Sequence, residues 1–377
     1  MLFFASIAGA MRGTADTTTV LRETLLFDWE RWSPGVAWRS APALAIALGV
    51  GIAVGHPAGG LVAAAGAFTT GLGSLQRIRG SCLIPMLLAA VGMTLSTLVG
   101  MVLGHQSLLM VFVAGGWAAT YALLTAMKGG TSWVGLQCTV FLLVASAFHT
   151  SPRGALTRCS LILAGGLLQT AIAWLWLRAT QRRDRPAKKR HEEETELRLD
   201  AEGLLACFSL RTPVCLYGLR IALVVMAATE FYRHTNFLSG YWVPMTTLLV
   251  VRQDFHQTIT RGAMRVAGTL LGAGMAGLIA AHLHPTPVVL AALIVFFAWW
   301  AFALLNVNYA LFTTCLTAYI VFLLALSGLP PATVVHRRAA YTLLGGALAL
   351  LAYLDVFART GRSIREEKER DSMERAA

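Results

Sequence analysis

A chain of 377 residues that is 56% hydrophobic and 13% charged lacks the polar surface of a soluble fold of that size, in which about a quarter of residues are charged. Its formal charge of +12 is confined to a few segments beside apolar runs, so it reports membrane topology and contact with anionic headgroups, not nucleic acid. What remains is an all-α polytopic membrane protein.

Residues 1–36 read as an interfacial, cytoplasmic segment, with Trp29 and Trp32 at headgroup depth. The run Met1-Leu2-Phe3-Phe4 lacks the basic-then-apolar order of a secretory signal. A first transmembrane repeat is expected over 37–178, with spans near 38–56, 60–74, 83–104, 107–127, 131–149 and 155–177. A charged cytoplasmic linker follows over 179–212, its second part patterned as an amphipathic helix by Leu197, Leu204, Leu205 and Phe208. The second repeat, over 213–358, has spans near 214–232, 238–252, 263–283, 286–305, 307–327 and 334–357, and a charged tail closes the chain from 359 to 377. The second span of each half is short and rich in Gly, Thr or Pro, which points to re-entrant or interrupted helices and a binding site.

The halves echo each other about 180 residues apart. Gly92, Ser96, Gly100 and Gly104 recur every fourth position in one span, and Gly268, Gly272, Ala276 and Ala280 do so in another. Such ladders let helix backbones approach closely. Arg158 ahead of Gly165-Gly166 matches Arg338 ahead of Gly345-Gly346, and Arg39 matches Arg220 at the start of each half. About twelve helices in two parallel repeats of six imply a transport path between two halves. Basic residues cluster in the N-terminal segment, the linker and the tail, whereas Arg153, Arg158, Arg233, Arg337 and Arg338 fall on the other side, so both termini are expected in the cytoplasm.

Scattered Cys82, Cys138, Cys159, Cys207, Cys215 and Cys315 predict neither a disulfide framework nor a zinc site. His282 and His284 alone are too few for a metal, and no cofactor is expected. No P-loop or nucleophile–His–acid arrangement is present, which argues against an enzyme.

The sharpest local sequence is Gly240-Tyr241-Trp242-Val243-Pro244-Met245-Thr246, followed by Arg252-Gln253-Asp254-Phe255 and by Arg261 through Gly272. It resembles the fusaric-acid-resistance-type (FUSC) inner-membrane family, with Arg220, Trp242, Pro244, Arg265, Gly268, Thr269 and Gly272 at matching positions. The first repeat, 37–178, carries no Trp-x-Pro, and Ala89 stands where the repeat would place Arg265. The resemblance implies a bacterial inner-membrane exporter of six plus six helices, acting in some members on aromatic carboxylic acids and in some with a periplasmic adaptor. A small organic anion, the bilayer, an adaptor and a second copy of the chain are the expected partners.

Arg39 and Arg220 either snorkel to phosphate headgroups or form an electropositive mouth. Arg265, inside an apolar helix, either binds a carboxylate or pairs with Asp254. Arg158 and Arg338 either anchor their helices at the interface or form an exit ring, and Tyr241, Trp242, Trp299, Trp300 and Tyr309 either belong to membrane-interface belts or offer an aromatic binding surface. Pro244 is expected to break its helix and free carbonyls to line a cavity. Asn306 and Asn308 read as loop residues. Glu230 is the best candidate for proton coupling. A proton-driven exporter leads, with a passive anion channel and a non-transporting envelope protein as rivals.

Overall fold

Proline marks the start of half the helices. Pro34, Pro57, Pro152, Pro213, Pro287 and Pro331 each stand at a first helical position, where a missing N–H costs nothing and the fixed φ favours the helix. The computed structural model describes residues 24, 26–127, 130–181, 212–235, 237–283 and 285–353. The linker helix, the charged tail, Cys207, Asp355 and His284 lie outside them.

Twelve α-helices fill the described residues, one for each expected span. In chain order they are α1 (Pro34–Ala53), α2 (Pro57–Leu72), α3 (Leu83–Leu103), α4 (Leu108–Leu124), α5 (Thr131–Ser146), α6 (Pro152–Gln181), α7 (Pro213–Thr235), α8 (Trp242–Val250), α9 (Phe255–Leu283), α10 (Pro287–Leu304), α11 (Tyr309–Leu326) and α12 (Pro331–Leu351). Eight of them are long and apolar enough to cross a membrane. Of the other four, α4 and α5 are shorter, α8 has nine residues, and α12 carries His336, Arg337 and Arg338. Helix α9 starts eight residues before the expected 263, which brings Arg261 within it as well as Arg265.

Helix α8 spans only about 14 Å at 1.5 Å per residue, half the hydrocarbon core. Irregular backbone at such depth survives only when buried in protein. Accordingly every α8 residue but Leu249 is buried. Pro244 does not break this helix. It lies in the first turn, where its lost N–H has no intrahelical partner to give up, and the expected free carbonyls do not arise.

Small residues set the closest helix approaches. A side chain at Gly100 would strike the carbonyl of Leu142 on α5, and one at Gly272 the carbonyl of Thr314 on α11. Gly165 abuts Ala63 on α2, and Gly345 abuts Val243 on α8. Gly104, the last rung of the first ladder, instead caps α3 with φ at +64°, a conformation that suits glycine.

Helix neighbours cross the midpoint of the chain. α4 packs on α7, α1 on α10, α2 on α11 and α5 on α8. One apolar cluster joins Leu44 and Phe68 with Ile294, Phe302 and Phe322, and a second joins Met110 and Leu142 with Ile221, Trp242 and Leu248. Each cluster therefore draws on both halves.

Asn308 is not a loop residue. It is 5% exposed and caps α11, its Oδ1 accepting from the N–H groups of Ala310 and Leu311. Its Nδ2 donates to the carbonyls of Thr24 and Leu26 at 2.9 and 2.8 Å, which ties the N-terminal segment to the α10–α11 turn. Asn308→Ala is expected to cost about 1–2 kcal/mol, read as a lower thermal midpoint in detergent.

Candidate functional site

The polar interior of the second half is built where α8, α9, α11 and α12 meet. Apolar periodicity turns Arg265, Thr269, Thr313, Thr317, Arg338 and Thr342 inward, and all six are buried. Arg265 and Arg338 are each 1% exposed, the two largest fully buried side chains among the described residues. Among the described residues, neither has a carboxylate within salt-bridge distance, and the Nε of each is unpartnered.

Arg338 lies with its guanidinium carbon 3.8 Å from the centroid of the Trp242 ring, and its Nη2 donates to Thr317 Oγ1 at 3.3 Å. Helix α8 supplies that ring, held flush against α12 because Gly345 lets Thr246 approach and because Thr247 Oγ1 donates to Gly345 O at 3.0 Å. Tyr241 adjoins Trp242, ring centroids 4.9 Å apart. Between the two arginines, the hydroxyls of Thr269 and Thr313 are also buried and unpartnered. The expected pairing of Arg265 with Asp254 does not occur. Asp254 instead accepts from the backbone N–H of Gln257 and caps α9, about three turns away from Arg265.

A second group of cations lies at the α8–α9 turn. The Arg261 guanidinium carbon is 3.8 Å from the centroid of Tyr309, and its Nε donates to Leu249 O at 3.2 Å. Arg252 Nη1 donates to Tyr121 OH at 3.0 Å, reaching across to α4. Arg252, Arg261 and Arg265 all stand within electrostatic reach of Tyr309. Arg220 sits over the ring of Tyr353, whose hydroxyl donates to Arg252 O.

The remaining expected residues fall elsewhere. Arg39 stays in the first half, its Nη2 donating to Ser74 O at 3.0 Å. Arg158 packs on Phe148 at 4.4 Å, and Phe148 in turn lies 6.2 Å from Tyr241, so aromatic rings separate Arg158 from Arg338. The two do not form a ring of paired cations, because Arg158 is half-buried whereas Arg338 lies in the protein interior. Glu230 is bound by Arg233 at 2.6 Å and by His234 at 2.8 Å at the end of α7. Trp299 and Trp300 are distant from the Trp242 site. They line a groove of about 830 Å³ between α1 and α10 whose walls hold no ionisable group.

Sequence reasoning missed Thr313 and Thr317. A signal was present, since both stand at four-residue spacing on an apolar helix, but threonine in such a helix also bonds to its own backbone and so marks no site by itself.

Residues 221–352 match the model of the family described as fusaric acid resistance protein-like. An uncharacterized protein of Haemophilus influenzae is 26% identical over 161 residues, 43% of this chain and 22% of the relative. Uncharacterized protein slr1298 of Synechocystis sp. is 31% identical over 144 residues, 38% of this chain and 19% of the relative. Uncharacterized protein ORF2 of Neisseria gonorrhoeae is 28% identical over 149 residues, 38% of this chain and 34% of the relative. The chain thus covers about a third or less of these relatives. No solved structure matches.

Proposed function

We propose, on the premise that residues 221–352 belong to the fusaric acid resistance protein-like family, that the chain is a secondary membrane transporter exporting small organic anions. The observation that carries this reading is the pair of buried guanidiniums, Arg265 and Arg338, without a carboxylate partner among the described residues. An uncompensated buried charge costs roughly 3–5 kcal/mol. A protein that keeps two of them in an apolar body is completed by an anion from solution. Trp242 and Tyr241 beside Arg338 add aromatic faces, which suits an aromatic carboxylate.

The packing around Arg338 favours a moving carrier over a passive channel. The space beside Trp242 amounts to about 10 Å³, too small for a carboxylate, so entry requires helices to shift. Recurrence supports two parallel repeats of six: α3 on α5 and α9 on α11, α2 on α6 and α8 on α12, α4 on α7 and α10 on α1. The basic segments support an inner-membrane orientation with both termini cytoplasmic. Glu230, with Arg233 and His234, is the carboxylate assigned to proton coupling. A periplasmic adaptor and a second copy of the chain are the partners in this proposal.

The test is uptake of benzoate into inverted vesicles, with protein-free vesicles subtracted. An acid-inside gradient is expected to accelerate uptake, and Arg265→Gln to slow it about tenfold or more, the worth of a hydrogen bond to a charged group. Gradient-independent uptake accompanied by current would replace the exporter with a channel. No uptake across a panel of aromatic acids would overturn the reading altogether.

A further inference from the structure

We infer that the anion's route is a file of residues inside the second half, not the seam between the halves: Arg261 and Tyr309 at one end, then Arg265, then the Thr269 and Thr313 hydroxyls, then Thr317 with Arg338, ending at Trp242. The inference rests on the anion-transport reading above and assigns that transport a place and an order of contacts.

Helix register gives the order. Gly268 lies against Ala310 and Thr313, and Gly272 against Thr314 and Thr317, so α9 and α11 run side by side in the same direction. Arg265 therefore sits near the level of Tyr309, consistent with their electrostatic contact. Arg338 meets Thr317, eight residues or about 12 Å further along α11. The unpartnered hydroxyls of Thr269 and Thr313 fall between these two levels. A carboxylate leaving Arg265 thus meets two free donors before it reaches Arg338. Beyond Trp242, the file opens on the small pocket bounded by Ser239, Thr333 and Arg337. At its other end, Arg261 over Tyr309, with Arg252 nearby, provides capture from the aqueous face assigned to the cytoplasm.

Three observations exclude the alternatives. The α4–α7 seam is closed by Ala118, Ala122, Ile221 and Val225, with Met226 packed against Gly115. At the α1–α10 seam the groove is lined by apolar side chains and holds no ionisable group. The matching interior of the first half keeps buried hydroxyls at Thr70 and Thr97, but Ala89 replaces the guanidinium that would charge it. Among the described residues, Arg265 and Arg338 are the fully buried arginines, and they flank the free hydroxyls of Thr269 and Thr313, whereas Arg39 of the first half is only half-buried and is bound to Ser74.

The experiment uses full-length protein with its six native cysteines replaced and single cysteines at Thr313, Thr269, Thr97 or Val225. The probe is the anion 2-sulfonatoethyl methanethiosulfonate, applied to inverted vesicles. Thr313→Cys and Thr269→Cys are expected to react at least about tenfold faster than Thr97→Cys and Val225→Cys, as focused positive potential concentrates an anion by that order. Benzoate should slow the reaction at Thr313→Cys. Reaction at Val225→Cys with silence at Thr313→Cys would move the route to the seam and overturn the inference.

A second arm keeps the native cysteines. Thr313→Val, which removes only the hydroxyl, is expected to lower benzoate flux several-fold, whereas Thr97→Val leaves it unchanged; equal effects would overturn the inference. If Thr313→Cys reacts and is charge-selective yet benzoate does not move, the file stands and the substrate reading falls.

Discussion

Replacing Arg338 with glutamine is expected to lower anion flux about a hundredfold or more without lowering the thermal midpoint of the protein. The flux estimate follows from removing a charged partner in a desolvated site, which costs roughly 2–5 kcal/mol. The stability half of the prediction is the more discriminating. Arg338 is 1% exposed and, among the described residues, has no carboxylate partner and is held by the Thr317 hydroxyl at 3.3 Å and the face of Trp242. Such a residue stores uncompensated charge, and a neutral isostere relieves it. A midpoint that holds or rises while flux collapses is the signature of a site kept for binding at the expense of stability. Cooperative unfolding of Arg338→Gln would instead make Arg338 a structural cation, sustained by Trp242 alone, and would sink the site. Arg338→Lys sharpens the comparison, since it keeps the charge but loses the planar stack on the indole. It should recover only part of the flux.

The largest effect on folding is expected from Gly165→Leu. A side chain at Gly165 runs into the backbone carbonyl of Ala63, which cannot rotate aside, so α2 and α6 must separate. Overpacking costs about 1–3 kcal/mol even where side chains yield; against backbone the cost is larger, and the variant should fail to accumulate as monodisperse protein on size exclusion in detergent. Gly345→Leu should behave alike, because there Val243 O and the Thr246 side chain lie 2.7 Å from the position of an added methyl. Gly346→Leu and Gly116→Leu are the controls, both facing open space, and both should express normally. Normal folding of Gly165→Leu would mean that α2 and α6 do not pack as closely as described.

The expected helices were legible because each depends on neighbours in the chain. Twenty apolar residues bounded by Pro or charge make a helix of membrane length wherever they occur, and glycine every fourth position makes a close face. That is why the span near 83–104 and α3 agree within a residue. Pro244 was misread for a local reason as well. Its consequence depends on where the helix begins, and four residues of difference turn a helix breaker into a first-turn residue. Asn308 was read as loop because a cap is defined by the geometry of the donors it meets.

The site lay beyond such reading. Sequence by itself determined that arginines stand inside apolar helices at 265 and 338, that small-residue faces exist, and that charge is confined to a few segments. Whether a buried arginine has a counter-ion depends on every residue brought near it, and those come from α8, α9, α11 and α12, up to about a hundred positions apart. Only the tertiary structure decided that Asp254 turns to cap its own helix, that Trp242 and Thr317 meet Arg338, and that each apolar cluster draws on both halves. The physical reason is range: hydrophobicity and helical period act between near neighbours, whereas the absence of a compensating charge belongs to the assembled interior.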